Sequence, residues 1–164
     1  MNEAQRILKL IESVDAYTPD GVLDEIDARV WCLMSGYRFQ AMLDGGCLYD
    51  EGMKATENVH RLEPQFRYTK SRDALKAIEA SNWRIEGVYY TAVGTVQVVY
   101  RRAPFLDTCV KAVSEPLPTW ELAVAHAQVT IFDYEQRLAP EPAPPPPLTF
   151  EDVRELRRYG IDAG

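Results

Sequence analysis

The sequence predicts an α/β chain of the α+β type, a three-layer α-β-α sandwich with a largely antiparallel sheet. Apolar residues recur at helical spacing near both ends of residues 1–138, and two consecutive segments between them alternate with a period of two around a glycine. Strands and helices do not alternate regularly along the sequence, so a parallel sheet is not predicted. The chain has 164 residues, 46% of them hydrophobic, which is ordinary globular composition. We expect one sandwich domain over residues 1–138, a Pro-rich linker over 139–148, and a short C-terminal helix and tail over 149–164.

Two helices are predicted at the N-terminus. Residues 3–15 carry one apolar stripe, which includes Ile7 and Ile11. After a turn at residues 19–21, a second helix is expected over about 22–35. It should end at Gly36, because glycine readily adopts the left-handed conformation that closes a helix.

A hairpin and a loop are expected next. Residues 37–49 hold two short apolar stretches around Asp44-Gly45-Gly46, and Asp-Gly between such stretches favours a hairpin. Residues 50–65 are polar without a period, which predicts a loop.

The central segment predicts a helix followed by two antiparallel strands. Ser71 can cap a helix that reaches about Ser81. Strands are expected over residues 83–93 and 95–102, with Gly94 between them, and Trp83 is expected in the core. Alternation along the second strand sends Arg101 and Arg102 to opposite faces, so both cannot serve one site.

The C-terminal third predicts two more helices and a stiff spacer. A short helix is expected over residues 104–113, and Thr119 can cap a long helix to about Leu138. Residues 139–147 contain six of the eleven prolines, which favours an extended polyproline segment. A last helix over 150–159 is too short to be stable alone. Its apolar stripe should dock on the domain or on a second subunit of a homodimer, and consists of Phe150, Val153 and Leu156.

Charge is distributed unevenly in this acidic protein. The formal net charge is −7, which argues against direct nucleic-acid binding. The balance is −6 over residues 1–60, +4 over 61–102 and −5 over 103–164. The central third is therefore cationic, which suits either a solvated sheet face or a site for a small anionic ligand.

The sequence predicts no leader, no membrane contact and no disulfide framework. No basic start followed by an apolar run is present, and no apolar run is long enough to span a bilayer. The three cysteines, Cys32, Cys47 and Cys109, are widely spaced, which is typical of reduced thiols in a cytoplasmic protein.

Motifs for catalysis, metal binding or cofactor binding are not found, so we expect no catalytic residues, no metal and no cofactor. The two histidines, His60 and His126, have no cysteine pair beside them that would make a zinc site. Asp20, Asp24 and Asp27 have the spacing of one helix face. Such a face suits Mg²⁺, acid–base chemistry, a protein partner or plain solvation.

Aromatic and cationic residues cluster in the central segment. Aromatic planes beside guanidinium groups suit stacking on a base and pairing with phosphate, and they equally suit a half-buried sheet. The candidate ligand-binding residues are Arg67, Tyr68, Trp83, Arg84, Tyr89 and Arg101.

Four short segments resemble the phage ABA sandwich domain family. Residues 23–30, in the helix that ends at Gly36, resemble its opening helix. Residues 66–74, Phe-Arg-Tyr-Thr-Lys-Ser-Arg-Asp-Ala, resemble its Tyr-Ser/Thr-x-Asp segment. Trp83 with the hairpin over 88–100 resembles its sheet, and residues 119–127 resemble its Ala-rich closing helix. The resemblance implies a small phage or prophage protein with helices on both sides of a sheet and no catalytic signature.

Three functional hypotheses follow. The first is a non-catalytic accessory protein in the cytoplasm of a bacterial host, which binds and inhibits a host or phage protein such as a defence nuclease. The second is a module that sequesters a small ligand or nucleotide through the central cationic aromatic region. The third and weakest is a hydrolase that uses Asp24, Asp27 and His126.

Overall fold

The computed structural model describes residues 1–41, 47–51, 54–59, 66–103, 110–138 and 149–151, together with Arg154. Within these residues the protein is a mixed α+β structure with antiparallel strands, as expected. The strands form two three-stranded sheets, ordered β1-β2-β3 and β4-β5-β6.

The first part of the chain forms two helices and the first sheet. Helix α1 is Glu3–Glu12 and α2 is Asp20–Ser35; strands β1, β2 and β3 are Arg38–Ala41, Cys47–Glu51 and Lys54–Val59. Asn2 and Gln5 form a reciprocal capping box at the start of α1. The predicted end of α2 is confirmed, because Gly36 has a φ of 77°.

The two strands of the hairpin expected around residues 44–46 are confirmed, since β1 pairs antiparallel with β2. The loop expected over 50–65 is wrong in its first half, where β2 continues and β3 pairs with it. The sequence of β3, Lys-Ala-Thr-Glu-Asn-Val, lacks the apolar alternation of a half-buried strand, so pairing alone identifies it.

The second part of the chain forms two helices and the second sheet. Helix α3 is Arg72–Lys76, strands β4, β5 and β6 are Trp83–Tyr90, Val96–Arg102 and Lys111–Val113, and helix α4 is Trp120–Leu138. The Ser71 and Thr119 side chains accept hydrogen bonds from the backbone N–H groups of Ala74 and Leu122, which confirms both predicted caps.

Two predicted helices in this part are corrected. Helix α3 ends at Lys76 rather than near Ser81, and the backbone N–H of Ala80 donates to Gln128 Oε1 on α4. The predicted helix over 104–113 is wrong for residues 111–113, which form β6 because they pair with β5. Residues 104–109 lie outside the described residues.

Helix α4 lies in the middle of the structure. It packs on α1 on one side and on β5 and β6 on another, and α2 joins α1 to the first sheet. Every residue from Leu122 to Val129 is buried, so the helix is covered well beyond the single stripe expected from the sequence. The largest core side chains around it include Ile7, Ile11, Leu75, Val98 and Tyr100.

The C-terminal segment is described only in part. Residues 150, 151 and 154 are helical, and the Phe150 side chain is 89% exposed, so it is not docked on the domain. The linker and the side chains of Val153 and Leu156 lie outside the described residues.

Replacing Trp83 tests the sheet–helix packing. Trp83 is 7% exposed, its Nε1 donates to Glu135 Oε1 at 2.8 Å, and its ring meets Tyr134 edge-on at 5.9 Å. We expect Trp83→Ala to lower the free energy of unfolding by about 3–5 kcal/mol in urea titrations. Tyr90→Ala on the same hairpin, where the side chain is 75% exposed, should cost less than about 1 kcal/mol. An unchanged urea midpoint for Trp83→Ala would contradict this packing.

Candidate functional site

The second sheet has one face against α4 and one face turned away from it. Val96, Val98 and Tyr100 of β5 are buried toward the helix, and the intervening residues are only partly covered. We call the face turned away from α4 the open face. Its residues, taken from the strand register, are Arg84, Tyr89, Gln97, Val99, Arg101, Lys111 and Val113.

Three cationic residues stand in one row across the open face. Arg84 on β4 is paired with Arg101 on β5, and Arg101 is paired with Lys111 on β6. Like charges directly opposite each other destabilise a sheet. Glu86 supplies one counter-charge, because its carboxylate lies 3.1 Å from Lys111 Nζ. The row therefore places three cationic side chains side by side on the open face.

Tyr89 lies flat on the sheet beside this row. A β-bulge between Ile85 and Gly87 shifts the register of β4. A Cβ at Gly87 would approach the Tyr89 hydroxyl oxygen to 2.9 Å, so the missing side chain makes room for the ring. Tyr89 remains 56% exposed and presents an aromatic surface.

The hairpin between β4 and β5 exposes apolar side chains at the end of the sheet away from the charged row. Tyr90 and Val93 are 75% and 86% exposed. Gly94 has a φ of 83°, and the hydroxyls of Thr91 and Thr95 are hydrogen-bonded at 2.7 Å, which closes the turn. The exposed aromatic and aliphatic side chains are thus held by an ordered turn.

The structure does not bring all the predicted ligand-binding residues together. Arg84, Tyr89 and Arg101 share the open face, whereas Trp83 packs on α4 from the opposite face. Arg67 and Tyr68 lie in the turn before α3, near Asp27. The predicted separation of Arg101 from Arg102 is confirmed, since the Arg102 guanidinium forms an ion pair with Glu135 of α4.

Of the three residues of the expected acidic face of α2, Asp27 is buried, whereas Asp20 is exposed and Asp24 is partly exposed. Asp27 is 1% exposed and accepts hydrogen bonds from the Thr69 backbone N–H at 2.8 Å and from its hydroxyl at 3.1 Å. Asp20 forms an ion pair with Lys70. A solvated or partner-binding role that needs an accessible carboxylate is therefore wrong for Asp27, because this side chain fastens the turn before α3 to α2.

Burial shifts the pKa values of the residues where the turn before α3 meets α2. Desolvation raises the pKa of Asp27 to about 7 against the opposing effect of the Thr69 hydrogen bonds and Arg67. Burial, with the neighbouring Asp27 carboxylate, also raises the pKa of Tyr68 to about 12. Lys70 lowers the pKa of Asp20 through its hydrogen bond and charge.

The three residues of the hydrolase hypothesis lie in different surroundings on α2 and α4. His126 is buried in α4, and its Nε2 lies 3.0 Å from Glu12 Oε1 on α1. Asp27 accepts a hydrogen bond from the Thr69 backbone N–H, and Asp24 is partly exposed on α2. His60 and Cys109 lie outside the described residues. In the described part of the chain no group of His, Cys, Asp and Glu has the geometry to hold a metal ion.

Lys111 is a site residue that the sequence analysis missed. The segment before it was expected to be helical, and Lys-Ala-Val is too short to display a strand period. Only its pairing with Arg101 reveals the charged row.

Comparison with known proteins gives no match: no protein-family model, curated protein or solved structure is significantly similar to this chain. Among the helices of the described ranges, none is long and apolar enough to cross a bilayer.

A pH titration of stability tests the Asp27 environment. Asp27 ionises near pH 4 in the unfolded chain and near pH 7 in the folded protein, so the unfolded state releases its proton first as the pH rises. Relative to Asp27→Asn, the wild-type free energy of unfolding should fall by up to about 4 kcal/mol between these pH values. Urea unfolding at several pH values measures it.

Asp20→Asn is the matched control, because Asp20 is exposed and its pKa is lowered rather than raised. Its difference from the wild type should stay constant over the same pH range. A wild-type minus Asp27→Asn difference that does not change with pH would contradict the raised pKa.

Proposed function

We propose that this chain is a non-catalytic binding protein that uses the open face to hold an acidic surface of another protein. The row formed by Arg84, Arg101 and Lys111 carries the proposal. Three cationic side chains on one sheet face attract an acidic surface at long range. Partner carboxylates would form charge-assisted hydrogen bonds with the guanidinium groups.

The composition of the face favours a protein as the partner. Arginine and tyrosine are enriched at protein interfaces and among the residues that dominate binding energy. Tyr89 supplies exposed aromatic area on the same face as the charges. An overall charge of −7 repels a nucleic-acid polyanion at long range, whereas a folded partner can present one local acidic patch.

A small anionic ligand is the second candidate for the same residues. The position of Tyr89 beside the row favours it, because the ring can stack on a base while an arginine binds phosphate. The sheet face offers such a ligand little enclosure, and small-molecule sites are usually concave.

The biological setting is proposed on the sequence resemblance alone. A member of the phage ABA sandwich domain family would act in the cytoplasm of a bacterial host, on a host or phage protein such as a defence nuclease. A three-layer sandwich is part of the same proposal. Helix α4 covers one face of the second sheet, so a third layer would pack on the open face.

The double substitution Arg84→Gln and Arg101→Gln tests the proposed function. Poly-L-glutamate is the probe for an acidic protein surface, and ATP is the probe for a small anion. We expect poly-L-glutamate to bind with an affinity that falls as salt rises, and the double variant to bind it at least about tenfold more weakly. Calorimetry over a salt series measures both effects.

Lys76→Gln with Arg137→Gln is the matched control, because it removes two exposed cations from helices α3 and α4. It should retain most of the binding. Equal losses in the two double variants would contradict a specific role for the open face. Binding of ATP but not poly-L-glutamate would favour the second candidate.

A further inference from the structure

A concave feature lies between α4 and the segment that follows α3. It is a pocket of about 330 Å³, which falls within the size range of small-molecule sites. Three partly exposed apolar side chains line it: Met34 at the end of α2, Ile78 after α3 and Phe132 on α4. These walls can take the hydrocarbon body of a ligand out of water. No residue of the open face lines the pocket.

Two carboxylates line the pocket, and they differ in their partners. Glu135 accepts a hydrogen bond from Trp83 Nε1 at 2.8 Å and lies 3.2 Å from Arg102 Nε, so its charge is already paired. Glu79 is exposed and has no ion pair with any residue in the part of the chain that the structure describes. No lysine, arginine or histidine of the described ranges lines the pocket. The charge of Glu79 is therefore available to a ligand.

Tyr100 shows where the Glu79 carboxylate lies. Burial raises the pKa of Tyr100 to about 12, and the Glu79 carboxylate is close enough to the phenol to contribute to this rise. Tyr100 belongs to the core and is 1% exposed, so the carboxylate of Glu79 is near the buried side of the pocket wall as well as accessible to solvent. The phenol stays protonated at neutral pH and adds no charge to that of Glu79.

The charge at this pocket favours a cation. An ammonium group could pair with Glu79, whereas an anion would meet two carboxylates and only the paired cation behind Glu135. The formal net charge of −7 also favours the approach of a cation at long range. A ligand that suits both the apolar walls and the free carboxylate therefore combines a hydrocarbon body with one positive charge.

We propose that this pocket binds a small apolar amine in its protonated form, with the ammonium group paired to Glu79 and the hydrocarbon body against Met34, Ile78 and Phe132. An alkylammonium group stays charged at neutral pH, as the lysine side chain does. This site shares no residue with the open face and takes a ligand of the opposite charge, so either proposal can fail without the other.

2-Phenylethylamine is the probe, because it joins an apolar ring to a primary ammonium group. 2-Phenylethanol has nearly the same shape without the charge, 3-phenylpropionate is an anion, and ethylamine lacks the ring. In ¹H–¹⁵N spectra of the full chain, we expect 2-phenylethylamine to cause saturable shifts of the backbone N–H groups of Glu79, Ala80 and Phe132. 2-Phenylethanol should bind about three- to fivefold more weakly, as the loss of an accessible ion pair predicts. 3-Phenylpropionate and ethylamine should bind at least about tenfold more weakly.

Glu79→Gln removes the charge and keeps the shape of the side chain. It should weaken the binding of 2-phenylethylamine about three- to fivefold and leave that of 2-phenylethanol unchanged. Glu115→Gln is the matched control, because Glu115 is also exposed, has no ion pair among the described residues and does not line the pocket. It changes the net charge equally and should leave both affinities unchanged. Ala77 lines the pocket from an exposed position, so Ala77→Leu should narrow the pocket without entering the core and weaken both ligands.

Absence of localised shifts up to the solubility limit of 2-phenylethylamine would overturn the proposal. Equal affinity for 2-phenylethanol, a loss in Glu79→Gln no larger than in Glu115→Gln, or full affinity in Ala77→Leu would also overturn it.

Discussion

Burial of α4 on nearly all its sides is the constraint on which the rest of the structure depends. A helix between two layers needs small residues where its neighbours approach, and α4 provides them at Ala123, Ala125 and Ala127, each fully buried. Longer side chains between them, such as Val124 and Val129, fill the spaces toward α1 and the sheet. Burying an aliphatic side chain is worth about 1.5–3 kcal/mol, so the central helix contributes a large part of the apolar stabilisation.

The polar residues of α4 hold the elements around it in position. Gln128 accepts a hydrogen bond from the Ala80 backbone N–H and thereby holds the segment after α3 against α4. Glu135 accepts a hydrogen bond from Trp83 Nε1 and forms an ion pair with Arg102. These contacts hold one face of the β4–β5 hairpin toward α4, and Arg84 and Arg101 therefore lie on the open face. The buried bond between Asp27 and Thr69 fastens the turn before α3 to α2. The charged groups next to the core, such as Asp27 and Glu135, thus have specific partners. The row formed by Arg84, Arg101 and Lys111 lies on the open face.

Features with a local physical signal could be predicted from the sequence. The caps at Ser71 and Thr119, the end of α2 at Gly36 and the opposite directions of Arg101 and Arg102 depend on neighbouring residues, and the structure confirms them. Features that depend on distant partners could not be predicted. Strands β3 and β6 lack a strand period. Asp27 and the Ala80 amide find their partners, Thr69 and Gln128, 42 and 48 residues away along the chain. For the same reason the aromatic cluster divides among three places, and Lys111 joins the charged row only through strand pairing.

Native-state hydrogen exchange of the α4 backbone tests its central role most directly. If the other elements depend on α4, its amides from Ala123 to Ile131 exchange only when the whole protein unfolds. Their free energies of exchange should then equal the global free energy of unfolding from urea titration, within about 0.5 kcal/mol. Exchange of these amides through a smaller opening, while the β4–β5 amides remain protected, would contradict the dependence of the sheet on this helix.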